Sequence, residues 1–135
     1  MERIFVDTNG QTDIIDLTEK IYQIIKKKGF QNGVVNLFVI GSTAAITTIE
    51  IDKNLYQDLR EILEKIIPYQ KNYHHHQTWG DDNGASHLRA SLFGPSLSFP
   101  VINGKPFLGT WQKIVLIDFD TKPRQREIII NFLKT

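Results

Sequence analysis

The chain carries four histidines, His74, His75, His76 and His87, three of them consecutive. Imidazole titrates near neutral pH and is the commonest metal ligand, so such a group can transfer protons or hold a divalent ion. Asp81, Asp82 and Asn83 stand between the run and His87, where a carboxylate can ligate a metal or orient a ring nitrogen. His75 and His87 converge if the intervening loop folds back on itself. The spacing is not that of a zinc finger, and no ligand pair falls on one helical face. The competing reading is a solvated surface loop.

A second set of residues points to anions. Arg89 follows His87 by two positions in a segment that alternates like a strand. Both side chains should then project to one face, as a histidine and arginine pair suited to an anion. Gly41-Ser42-Thr43-Ala44-Ala45 follows an apolar run directly. A turn of small, hydroxylated residues lets backbone N–H groups approach a phosphate or carboxylate. It lacks the lysine and glycine spacing of a P-loop, so nucleotide binding is not implied, and an ordinary tight turn is the alternative. Glu50 sits between Ile49 and Ile51 and faces solvent by alternation unless it serves a site. Arg124 and Arg126 are either further anion ligands or solvated strand-end charges. Trp111 reads as a core or interface residue before a substrate contact.

Positioning these groups falls to alternating elements. A strand covers 2–8; Asn9-Gly10-Gln11-Thr12 reads as a turn whose threonine caps the next helix. Apolar positions Ile14, Leu17, Ile21, Ile24 and Ile25 predict a helix over 13–28, stopped at Gly29. Strands follow over 34–40 and 44–51, then a helix over 53–67 that Pro68 ends. Residues 69–84 are polar and aromatic, and a long loop of that kind inside a domain is usually functional. Beyond Ala85 the pattern reads as sheet: strands over 87–93, 97–102, 105–108, 109–119 and 126–133. Asn103-Gly104 is a strong hairpin signal. Two helices with many strands predict an α+β domain spanning 1–135, its mainly antiparallel sheet folded as a sandwich.

Composition narrows the classes. With 135 residues, 41% hydrophobic and 23% charged, one ordinary core suffices without metals or disulfides. Cysteine is absent, which excludes disulfides, thiolate metal sites and a cysteine nucleophile and fits a reducing compartment. A net charge of +1 with interleaved signs argues against nucleic acid as partner. The basic run Lys26-Lys27-Lys28 sits where it complements a helix C-terminus. The first residues lack a signal-peptide pattern and no apolar stretch reaches membrane length, so a cytoplasmic protein without a membrane partner is expected.

The segments 41–50 (GSTAAITTIE) and 73–94 (YHHHQTWGDDNGASHLRASLFG), with Gly109-Thr110-Trp111-Gln112 and the pair Arg124 and Arg126, together resemble the YjbQ-like family. Its members are often described as secondary thiamine-phosphate synthases. The resemblance covers nearly the whole chain in order. It implies a two-sheet α+β sandwich, a homotrimer and a pocket near subunit contacts where family histidines hold a metal, zinc first. Tyr73, His75, Asp82, Asn83, His87, Arg89 and Glu50 fall on matching positions. Many relatives carry histidine where this chain has Gly41, so a shell begun by His75 and His87 needs Asp82, Glu50, water or a neighbouring subunit.

The implied function is an enzyme for a phosphorylated or anionic small molecule, in its finest form a thiamine-phosphate synthase. His87, Arg89, Glu50 and Asp82 would be catalytic; Ser42, Thr43, Asn83, Arg124 and Arg126 would bind the anion; His75 and His87 would ligate a divalent metal. The alternative is a non-catalytic trimeric protein that binds a small ligand or metal. A structural interaction module anchored by Trp79 and Trp111 is the third reading.

Overall fold

Strand β1 (Glu2–Thr8) turns Val6 and Thr8 inward and leaves Phe5 and Asp7 outside, the period-2 pattern of a half-buried strand. It pairs antiparallel with β8 (Arg124–Lys134), from Glu2 opposite Ile130 to Thr8 opposite Arg124. The other neighbour of β8 is β3 (Gly33–Val39), which in turn pairs with β5 (Ser96–Ile102). The edge strand β6 (Lys105–Pro106) completes a five-stranded sheet of order β1-β8-β3-β5-β6. Asn103 and Gly104 join β5 to β6 with φ of 52° and 78°, the double left-handed geometry that an Asn-Gly hairpin supplies.

A second sheet, order β2-β7-β4, comprises β2 (Asp13–Asp16), β7 (Lys113–Asp118) and β4 (Ala44–Ile49). The computed structural model describes residues 1–135. Between the sheets lie Val35, Leu37, Val39, Ile128 and Ile130 on one side and Ile46, Ile114 and Leu116 on the other. Helix α1 (Thr18–Lys28) adds Ile21 and Ile25 to this core. The far face of the small sheet is covered as well. Val115, Ile117 and Phe119 meet Leu63 of α2 (Lys53–Ile66) and Ala90 and Phe93 of α4 (Gly84–Phe93). The small sheet is therefore a middle layer, which explains the unbroken apolar run of β7.

Four helices are present where two were expected, and the expected two-sheet sandwich is there. Residues 13–16 are strand, not the first turn of a helix. Ile15 packs into the sandwich core and Ile14 toward the helix layer, so adjacent isoleucines serve both faces of a middle-layer strand. Thr12 caps no helix; it stands in left-handed backbone with φ 64°. Asp52, unremarked in the sequence, caps α2 by accepting from the Asn54 N–H at 3.0 Å. The polar loop contains a single helical turn, α3 (His76–Trp79). Residues 109–112 form a turn ahead of β7, closed by the Gly109 N–H donating to Gln112 Oε1 at 3.0 Å.

The largest correction concerns residues 87–93, expected as strand and found in α4. Gly84, Ala85, Ser86 and Ala90 are buried, and such small residues let a helix lie close on β4. That packing outweighs the apparent alternation.

Candidate functional site

The polar loop folds back so that His75 and His87 meet edge to face, ring centroids 4.7 Å apart. His75 precedes α3, while His87 sits in the first turn of α4. Asp81 Oδ1 lies 3.6 Å from His75 Nε2. With its carboxamide nitrogen turned toward them, Asn83 donates to Asp81 at 3.0 and 3.2 Å and to His75 Nε2 at 3.2 Å. The Asp81 carboxylate and the Asn83 carboxamide thus face the same nitrogen of His75. Such neighbours fix the orientation of a ring that could transfer a proton. Asp82 accepts from Thr121 Oγ1 at 3.0 Å, tying the loop to the β7–β8 turn.

His76 does something else. Its Nε2 accepts from the Gly84 N–H at 3.1 Å, and its ring stands edge-on to Tyr73. Gly84 is required there, since a Cβ would lie 2.7 Å from that of Tyr73. His76 and Tyr73 therefore fix the start of α4.

No group of three or more His, Asp or Glu side chains is arranged to hold a metal ion. Asp81 stands at ion-pair distance from His75, not around a shared centre with His87. These residues do not fit a metal centre that the chain closes by itself.

Arg89 does not pair with His87. On a helix, residues two apart project about 200° from one another, and Arg89 is 1% exposed. It donates to the Ile67 carbonyl through Nε (2.9 Å) and Nη2 (2.7 Å), to Glu64 (2.8 Å) and to Thr12 Oγ1 (3.1 Å). Its guanidinium also lies 3.9 Å over the Tyr69 ring. Burial raises the Tyr69 phenol above its ordinary value, against the opposing Thr12 hydrogen bond and Arg89 charge, so it stays a neutral donor to the Phe119 carbonyl at 2.9 Å. This cluster is structural support.

Arg126 is likewise internal. Its Nε and Nη2 grip Asp118 at 2.7 and 2.9 Å, and Nη2 donates to Thr43 Oγ1 at 2.6 Å. Thr8 also donates to Asp118. Thr43 and Arg124 donate to Asp120 at 3.1 and 2.8 Å. Two arginines and two aspartates balance: Arg126 Nε and Nη2 and the Thr43 hydroxyl serve the network from inside, while Arg124 closes it at the surface with a side chain 40% exposed. Two aspartates ending an apolar strand were the sequence signal that partners must exist, because such buried carboxylates need them.

Burial alone would raise the Asp120 carboxyl. Hydrogen bonds from Arg124, the Thr121 amide and Thr43, with the Arg124 charge, outweigh it and hold Asp120 below its ordinary 3.8. A depressed carboxylate stabilises the fold above its unfolded value and loses that contribution as pH falls through the folded one. Thermal melts should stay level down to about pH 5 and then decline, and Asp120→Asn should make that decline shallower. An unchanged acid slope in the variant would contradict this assignment.

The remaining candidates disperse. Glu50, one residue past β4, is exposed. Ser42 and Gly41 line a hollow of about 200 Å³ with Ala44, Ala90, Ser91 and Pro95. The Ser91 hydroxyl donates to the His87 carbonyl at 2.9 Å, which puts the hollow one helical turn along α4 from His87. Trp111 is 71% exposed and Trp79 is 78% exposed, so neither is a core residue.

Comparison with known proteins agrees with this architecture. A family model described as "UPF0047 protein YjbQ-like" matches residues 2–135. A UPF0047 protein of Methanothermobacter thermautotrophicus is 38% identical over 124 residues, spanning 92% of this chain and 85% of its own. One from Archaeoglobus fulgidus is 36% identical over 126 residues, spanning 93% and 95%. Among solved structures, a YbjQ-like protein of unknown function from Sulfolobus solfataricus superposes with a TM-score of 0.90 at 34% identity, covering 99% of this chain and 96% of that one. An uncharacterized conserved protein of the YjbQ/UPF0047 family from Clostridium acetobutylicum gives 0.88 at 29% identity, covering 98% and 100%.

Proposed function

From the premise that this chain belongs to the YjbQ-like UPF0047 family, we propose that it is an enzyme acting on a phosphorylated or anionic small molecule by proton transfer at the His75–His87 pair. The observation that carries the reading is the edge-to-face contact of these rings at 4.7 Å, with Asp81 and Asn83 both within reach of one His75 nitrogen. Such an arrangement orients one imidazole and leaves its neighbour free to meet a substrate. Asp82 sits on the same loop and holds it against Thr121.

The finer form of the proposal is thiamine-phosphate synthesis. There a pyrimidine methyl carbon forms a bond to a thiazole nitrogen, and pyrophosphate leaves with the electron pair of the broken C–O bond. The histidines would assist departure of that anion. The homotrimer belongs to the proposal too, supported by exposed Phe107, Trp111 and Trp79, which subunit contacts would cover. A divalent ion, zinc first, would lie between His75 and His87 only with ligands from a neighbouring copy, and no step above depends on it.

The test is turnover of the pyrimidine pyrophosphate and thiazole phosphate, alongside a panel of phosphorylated metabolites. Removing a general acid or base should lower kcat by about a hundredfold in His87→Ala with the fold intact. Unchanged turnover in that variant would overturn the proton-transfer reading. Binding without turnover of any compound would instead favour the trimeric binding protein, a reading supported by the internal pairing of Arg89 with Glu64.

A further inference from the structure

The loop joining β3 to β4 holds donors that nothing in the chain satisfies. The backbone N–H groups of Gly41, Ser42 and Thr43 meet no acceptor, although the Thr43 carbonyl accepts from Phe119 at 2.9 Å. Beside them is Arg126, 7% exposed. Asp118 and Thr43 occupy its Nε and Nη2, and Nη1 makes no hydrogen bond. That nitrogen lies against Gly41: a Cβ built there would stand 2.7 Å from it. Gly41 has a φ of +132°, which L side chains rarely adopt, so glycine is demanded twice, by the backbone and by the open guanidinium edge.

We propose that the Gly41–Thr43 amides and Arg126 Nη1 form a subsite for the terminal phosphoryl group of the substrate, with the Ser42 hydroxyl as a further donor. This rests on the reading that the substrate is anionic and names the group that makes it so. Consecutive free N–H groups form a concavity for anions, and a guanidinium edge adds a charge-assisted donor. The donor count selects the ligand: a carboxylate offers two oxygens, whereas a phosphoryl group offers three to three amides, one guanidinium edge and one hydroxyl. The carboxylates of Asp118 and Asp120 balance Arg126 from its other edge, leaving Nη1 for the ligand. The hollow that Gly41 and Ser42 line reaches Ser91 on α4, roughly 6 Å along the helix from His87. A substrate held there by its phosphate would bring atoms a few bonds away to the imidazole pair.

The experiment is a titration of the intact chain with inorganic phosphate, followed by ¹H–¹⁵N spectra, with sodium acetate at matched ionic strength as the comparison. Saturable shifts of the Gly41, Ser42 and Thr43 amides are expected with phosphate and not with acetate. Gly41→Ala should weaken phosphate binding about tenfold, the loss of one hydrogen bond to a charged group. Because that substitution also strains the backbone, Ser42→Ala, at an exposed position, provides a second variant expected to bind severalfold more weakly. Unmoved amides at 41–43, equal shifts with acetate, or full affinity in both folded variants would overturn the subsite. His87→Ala should still bind phosphate. Loss of turnover in His87→Ala together with silent 41–43 amides would sink the subsite and leave the proton-transfer reading standing. The opposite pattern would sink that reading alone.

Discussion

Asp118→Ala is expected to lower unfolding stability by about 3–5 kcal/mol, the cost of leaving a buried charge without its partner. Asp118 is fully buried and accepts from Thr8, from two nitrogens of Arg126 and from the Asp120 amide. Alanine would leave the Arg126 guanidinium facing only Thr43 and the more distant Asp120, whose oxygen is 3.7 Å from Nη2. Denaturant titration should show a lower midpoint with an unchanged slope. Replacing Arg126 by methionine in the same chain should recover part of the loss, since two apolar residues are cheaper to bury than one unpaired charge. A midpoint within experimental error of wild type would mean that the network does not support the fold.

Arg89→Met should cost about 3 kcal/mol, toward the lower end of that range, because the Glu64 left behind is half exposed and water can solvate it. Methionine keeps much of the side-chain volume, so the loss reports hydrogen bonds more than a cavity. The Ile67 carbonyl would lose both donors at the end of α2. Thr12 would keep Tyr69, and its carbonyl would keep Arg60, which donates through Nε and Nη2 at 3.2 and 2.9 Å. Those contacts hold Gly10, Gln11 and Thr12 at φ of 80°, 53° and 64°, an unusual run in which the β-branched threonine is the strained member. A change under about 1 kcal/mol, the ordinary worth of a single hydrogen bond, would return Arg89 to the list of anion ligands.

Much of this architecture could be read from residue order, and the failures have definite causes. Sheet strands with one wet face declared themselves by alternation, as in β1, and the Asn103-Gly104 turn by its backbone demand. The middle layer hid its edges, because a strand buried on both sides loses alternation. Ile14 and Ile15 then looked like the start of α1. Residues 87–93 misled for the opposite reason: polar and apolar types alternate there by chance, while the small residues at 84–86 that make the helix fit are silent in a hydropathy pattern. The meeting of His75 with His87 was foreseeable from the loop's composition. The enclosure of Arg89 was not, since its partners Thr12, Glu64 and Ile67 are 77, 25 and 22 positions away.

The position of β8 governs how the molecule can come into being. That strand is drawn from residues 124–134, yet it lies between β1 and β3. Until those residues have left the ribosome, the strands that flank it have no common partner, and β1 has no sheet to join. Nor can Asp118 meet Arg126 or Thr8. Synthesis must therefore carry most of the chain in an unassembled state, with apolar strands β3 and β5 already exposed, and closure of the large sheet is a late event in which the two ends of the sequence are zipped side by side.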